Sequence, residues 1–71
     1  MQNNLTNKIL ELIEQANEPL ETKEIEEKLK EFSRAMILYR LHNLRGEGII
    51  KGKMVGPGKG VWIWWKPSKK E

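Results

Sequence analysis

Glycine is absent from the first 45 residues of the chain, and all six glycines lie between positions 46 and 60. Because glycine weakens helices and is favoured in turns, this clustering marks a change of architecture. The glycine-free part has apolar residues at helical spacing, whereas the part from position 49 onward has two β-branched or aromatic runs. The sequence therefore predicts an α+β fold that is mainly α, with three helices followed by a C-terminal β-hairpin.

The first two predicted helices are amphipathic. The apolar stripe of the first helix consists of Leu5, Ile9, Leu12, Ile13 and Ala16. That helix ends before Pro19, which disfavours the helical conformation at the residue preceding it, and only a turn or a minimal strand fits between Pro19 and Glu21. Thr22 is the expected N-cap of the second helix, and Ser33 is the expected N-cap of the third. The connection between these two helices is therefore predicted to be tight.

The third helix, within residues 33–50, has one face suited to packing and one suited to binding. At 100° per residue the inward stripe consists of Ile37, Leu41 and Leu44, with Leu38 on its border. The outward residues are Met36, Tyr39 and Asn43, flanked by Arg40 and His42. An ordinary solvated face would be richer in Glu and Lys, so we interpret this aromatic, amide and cationic face as a binding surface.

The glycine-rich part predicts a hairpin. Residues 49–55 and 61–66 are the expected strands, and residues 56–60, GPGKG, form the turn between them. Residues 1–66 are therefore expected to form a single domain, and residues 67–71 a disordered basic tail.

Charge is distributed unevenly along the chain. Residues 1–31 carry four Lys and eight Glu, a net charge of −4, whereas residues 32–71 carry nine Lys or Arg and two Glu, a net charge of +7. These add to the total of +3. A positive field concentrated in one half is the footprint expected of a protein that binds polyanions, although a solvated face plus a lysine-rich tail would look similar.

Several function classes are disfavoured. With 71 residues and no cysteine, the chain is one small domain without disulfides or thiolate zinc sites. Neither a membrane span nor a signal peptide is apparent, so a cytoplasmic protein is expected, nucleoid-associated if prokaryotic. The lone His42 lacks partners for catalysis or metal binding, so we expect no enzyme, cofactor, metal or small-molecule substrate. The bias toward Glu and Lys hints at a thermophile, although five asparagines oppose this.

Three segments resemble the winged helix-turn-helix family of archaeal and bacterial transcription regulators. They are PLETKEIEEKL (19–29), LYRLHNLRGEGII (38–50) and VWIWWK (61–66), and the resemblance covers about residues 4–66. It implies that the third helix lies in the DNA major groove and that the hairpin, the wing, reaches flanking phosphates or the minor groove. The base-contacting candidates carried over are Arg34, Ala35, Met36, Tyr39, Arg40, His42 and Asn43. Many members of the family bind proteins instead.

The leading hypothesis is a transcriptional regulator that binds double-stranded DNA. The residues expected to contact phosphates are Arg34, Arg40, Lys51, Lys53 and Lys59. Asn43 is the best candidate for contacting an adenine edge through two hydrogen bonds, and Tyr39 for stacking or for binding a phosphate.

The tryptophans leave two other hypotheses open. Alternation places Trp62 and Trp64 on one face of the strand and Trp65 on the other, more aromatic surface than a small core is expected to bury. We therefore expect Trp62 and Trp64 to form a homodimer or partner interface, as in a winged-helix protein-interaction module, unless one face simply covers the helices. Tyr39 and a proline ahead of a tryptophan also resemble the family's subgroup that binds Z-form nucleic acid, which leaves a Z-form or RNA-binding protein as the third hypothesis.

Overall fold

A computed structural model describes residues 4–58 and 60–67 of the chain. It contains three helices and three strands, in the order α1 (Asn4–Gln15), β1 (Leu20–Glu21), α2 (Thr22–Lys28), α3 (Arg34–Gly46), β2 (Lys51–Val55) and β3 (Val61–Trp65). The expected α+β class with a mainly helical composition is confirmed. Lys59, and residues 68–71 of the tail expected to be disordered, lie outside the described residues.

The start of α3 follows the prediction and the start of α2 does not. The Ser33 hydroxyl accepts a hydrogen bond from the Met36 backbone N–H at 3.2 Å, as expected of an N-cap. Glu21, not Thr22, precedes α2, and its backbone N–H donates to the Glu24 carboxylate at 2.8 Å. Thr22 is instead the buried first residue of α2, which frees its hydroxyl for a contact in the core.

The helix α3 ends at Gly46, and a short turn leads from it into β2. The backbone N–H of Gly48 donates to the Arg45 carbonyl at 3.0 Å, and that of Ile49 donates to the Leu44 carbonyl at 3.0 Å. Gly48 has a φ of +79°, a left-handed conformation that favours glycine. The outward face of α3 and the hairpin are therefore joined by a short, hydrogen-bonded turn.

The hairpin belongs to a three-stranded antiparallel sheet in the order β1-β3-β2. Of the turn and the minimal strand that were both expected after Pro19, the structure has the strand, β1, where Leu20 pairs with Trp64. On the other side of β3, Gly52 pairs with Trp64 and Lys53 with Ile63. Since β1 lies between α1 and α2 in the chain, its pairing fixes the hairpin to the helical part of the fold.

The core lies between the three helices and one face of the sheet. Its buried apolar residues are Leu5, Ile9, Ile13, Ile25, Leu29, Ile37, Leu41, Leu44, Ile50 and Trp64. Trp64 is 0% exposed, and its indole N–H donates to the Thr22 hydroxyl at 2.8 Å. The one polar atom of the largest core side chain is therefore hydrogen-bonded.

Gly52 is required by the position of Trp64. A Cβ atom at residue 52 would overlap the six-membered ring of Trp64. We therefore expect Gly52→Ala to lower the free energy of unfolding by about 1–3 kcal/mol, because one ring or one strand must move. Urea denaturation would measure this change.

Gly46→Ala provides the control for that measurement. It adds the same methyl group at the end of α3, where no atom lies within 4 Å of the added Cβ. The change is expected to be neutral or slightly stabilising, because alanine favours helix more than glycine does. Equal destabilisation by both substitutions would contradict the packing of Trp64 against Gly52.

Candidate functional site

The outward face of α3 is exposed, as its periodicity predicts. Tyr39 is 68% exposed and Met36 49% exposed, and Asn43 is also exposed. The opposite stripe of Ile37, Leu41 and Leu44 is buried. The helix therefore presents an aromatic ring, a thioether and an amide to solvent while a separate stripe holds it in the core.

The two arginines on this side of α3, Arg34 and Arg40, differ in their surroundings. A terminal nitrogen of Arg34 lies 3.3 Å from the Glu26 carboxylate, which ties the start of α3 to α2 and offsets part of the arginine's charge. Arg40 is half-buried, and its Nε is shielded from solvent without a hydrogen-bond acceptor among the described residues. The Nε edge of the Arg40 guanidinium is therefore covered by the protein, next to Tyr39 in the sequence.

An aromatic cluster joins the end of α3 to the hairpin. The His42 ring meets Trp62 edge to face at 4.9 Å and Trp64 at 5.1 Å between ring centroids. Trp62 and Trp64 stack at 5.2 Å with an interplanar angle of 16°. The Arg45 guanidinium lies 5.1 Å from the centroid of Trp62, and its Nε donates to the Gly52 carbonyl at 3.2 Å. These contacts fix the hairpin against α3.

The tryptophan interface expected from the sequence requires correction. Trp64 is fully buried and hydrogen-bonded to Thr22, so it has no surface to offer a partner. Trp62 is half-buried and contacts His42, Trp64 and Arg45. The expected surplus of aromatic surface on this face is therefore largely used within the molecule.

Two lysines of the expected binding surface also lie elsewhere. Gly52 and Met54 pair with Trp64 and Trp62 on the face of the sheet that covers the helices. Because side chains alternate along a strand, Lys51 and Lys53 project from the opposite face, where they pair with Trp65 and Ile63. The expectation that Lys51 and Lys53 lie beside the outward face of α3 is therefore corrected by the register of the hairpin.

The surface continuous with the outward face of α3 includes residues that the sequence did not single out as one site. His42 connects that face to Trp62, and Arg45 covers Trp62. We call the whole set the α3 surface; it consists of Arg34, Met36, Tyr39, Arg40, His42, Asn43, Arg45 and Trp62. Arg45 was missed because nothing in the sequence indicates that it lies over Trp62, which is seventeen positions later in the chain.

A second concave region lies on the other face of the sheet. It has a volume of about 630 Å³ and lies between the C-terminal end of α1, the loop that follows it, and the face that carries Lys53. We call it the sheet groove; its lining residues are Ile13, Glu14, Ala16, Asn17, Glu18, Pro19, Lys53, Ile63, Trp65, Lys66 and Pro67. Nothing in the sequence indicates this groove, because its two sides come from residues 13–19 and 53–67, which are far apart in the chain.

Among residues 4–58 and 60–67, no helix has the length and apolar character needed to cross a membrane. Within the same residues, no three His, Asp or Glu side chains are grouped so as to hold a metal ion. Searches against protein-family models, characterised proteins and solved structures found no match to the chain. What the molecule binds must therefore be inferred from its own geometry.

Proposed function

We propose that this chain is a winged helix-turn-helix protein that binds double-stranded DNA through α3 and acts as a transcriptional regulator. The observation that carries the proposal is the exposed outward face of α3, where Tyr39, Met36 and Asn43 are presented on a helix whose other side is anchored in the core. The order of the elements and the short connection between α2 and α3 support the assignment to this family.

The dimensions of α3 suit a major groove. Its 13 residues span about 20 Å, and the major groove of B-form DNA is wide enough to admit an α-helix. Asn43 offers the donor and acceptor pair that matches an adenine edge. Arg40, which is half-buried next to Tyr39 in the sequence, is the side chain that we expect to contact a phosphate beside that groove.

The register of the hairpin changes the expected role of the wing. Lys51 and Lys53 lie on the opposite face of the sheet, and among the residues that the structure describes the cations on the α3 surface are Arg34, Arg40 and Arg45. With two or three phosphate contacts, a plot of the logarithm of the DNA-binding constant against the logarithm of the salt concentration would have a slope of about −2 to −3. The proposed complex is therefore expected to be weaker and less sensitive to salt than one held by a lysine-rich wing.

Titration of a fluorescently labelled random duplex at several salt concentrations tests the proposal. Fluorescence anisotropy should give a slope in this range, and Arg40→Gln should make it shallower by about 0.9, the value for one phosphate. The matched control is Lys53→Gln, which removes the same charge from the opposite face of the sheet and should leave the slope unchanged. Absence of binding at low salt would contradict the proposal.

A protein-interaction module remains the second candidate, supported by the apolar residues on the sheet face opposite the core. Ile63 and Trp65 are half-buried there, and Val61 is exposed. Such a module would bind its partner through Trp65 and would retain binding when α3 is altered. A partner lost on Trp65→Ala but kept with Asn43→Ala would favour this candidate.

A further inference from the structure

The sheet groove has an apolar floor and two charged walls of opposite sign. The floor is formed by Ile13, Ala16, Pro19, Ile63, Trp65 and Pro67. One wall, at the end of α1 and in the loop after it, carries Glu14 and Glu18, and the other, on and beside the sheet, carries Lys53 and Lys66. A volume of about 630 Å³ lies within the range of small-molecule sites, and the groove combines apolar and charged side chains.

The end of α1 strengthens the negative wall. The last turn of α1 carries no basic side chain, and the carbonyl groups at a helix C-terminus have a partial negative charge. This wall is therefore suited to an ammonium group, which can both pair with a carboxylate and donate to a carbonyl oxygen.

Of the four charged residues that line the groove, Glu14 and Lys66 pair with each other, and Glu18 and Lys53 do not. The Lys66 ammonium lies 3.7 Å from the Glu14 carboxylate, so these two side chains bridge the walls. Glu18 and Lys53 form no ion pair with any other residue that the structure describes. A ligand that carries both an ammonium and a carboxylate would complement these two charges, which line the same groove.

We propose that the sheet groove binds a free amino acid with an apolar, preferably aromatic, side chain. Its ammonium group would face Glu18 and the end of α1, its carboxylate would face Lys53, and its side chain would pack on Ile63 and Trp65. An anion such as phosphate is disfavoured by the two glutamates, and an uncharged hydrocarbon by the charged walls. The proposal is independent of DNA binding, because none of these residues belongs to the α3 surface.

Nuclear magnetic resonance of the ¹⁵N-labelled full chain can test the site with three matched ligands. Phenylalanine carries both charges, phenethylamine lacks the carboxylate, and 3-phenylpropionate lacks the ammonium group. The chain has three indole N–H signals, which Trp62→Phe and Trp65→Phe would assign. Phenylalanine should shift the Trp65 signal saturably and bind at least tenfold more tightly than either analogue, while the buried Trp64 signal stays in place.

Single substitutions then test each wall. Lys53→Gln should weaken the binding of phenylalanine and leave that of phenethylamine unchanged, and Glu18→Gln should weaken phenylalanine and leave 3-phenylpropionate unchanged. The matched control is Lys51→Gln, which removes a lysine from the same strand and face without lining the groove, so it should change neither affinity.

Three results would overturn the proposal. They are no saturable shift of the Trp65 signal at millimolar phenylalanine, equal affinity for the three ligands, and a Trp65 shift that follows protein concentration instead of ligand concentration. The last result, with a dimer in sedimentation equilibrium, would show that a second copy of the chain occupies this face. An unchanged Trp64 signal in the Lys53→Gln, Glu18→Gln and Lys51→Gln variants verifies that the fold is retained.

Discussion

Trp64→Ala is expected to lower the free energy of unfolding by about 3–5 kcal/mol, a large share of what a domain of this size has. A chain of 71 residues is stabilised by about 4–10 kcal/mol in total. Trp64 is fully buried, pairs with both neighbouring strands, and stacks on Trp62, so its loss opens a cavity at the junction of sheet and helices. Chemical denaturation followed by far-UV circular dichroism would measure the loss.

Two further variants separate the causes of that loss. Thr22→Val keeps the ring of Trp64 and leaves its indole N–H without the Thr22 acceptor, which should cost about 1–3 kcal/mol. Trp62→Ala, the matched control, removes the same side chain two residues away, where it is half-buried, and should cost less than Trp64→Ala. A larger cost for Trp62→Ala would contradict the assignment of Trp64 as the more deeply buried of these two rings.

The faces of β3 show where prediction from the sequence reached its limit. Alternation correctly places Trp62 and Trp64 on one face, but both faces of this strand are apolar, so their pattern does not say which one is inside. The structure decides this through Gly52, whose missing side chain makes room for the Trp64 ring. The register between β2 and β3 is a tertiary property that neither strand reveals alone.

The positions of the charged side chains in the sequence did not predict which surface of the molecule they lie on. Lys51 and Lys53 follow α3 closely in the sequence, yet the pleat of β2 directs them to the far face of the sheet. Arg34 was expected to be free for a phosphate, but it pairs with Glu26, a contact that depends on how α2 meets α3. In contrast, the orientation of α3 was predictable because its single apolar stripe leaves only one face to bury.

Replacing Arg40 and Asn43 together by alanine is the second change expected to have a large effect, on DNA affinity. Loss of a pair of hydrogen bonds to a base costs about 1–3 kcal/mol, and loss of a phosphate contact adds to it, so affinity should fall by roughly 10- to 100-fold or more. Asn43 is exposed and Arg40 half-buried on the outward side of α3, so the fold should be retained. Fluorescence anisotropy at one low salt concentration, with circular dichroism as a check on folding, would measure the effect.

The structure offers a control of the same chemistry. Lys53→Ala with Asn17→Ala also removes one cation and one amide, but both residues line the sheet groove on the other side of the molecule. If α3 enters the major groove, this variant should lose less than threefold in affinity. Equal losses in the two variants would indicate attraction by net charge alone, because each loses one positive charge. A loss confined to the control would place DNA on the lysine-bearing face of the sheet and would exclude α3 as the element that binds it.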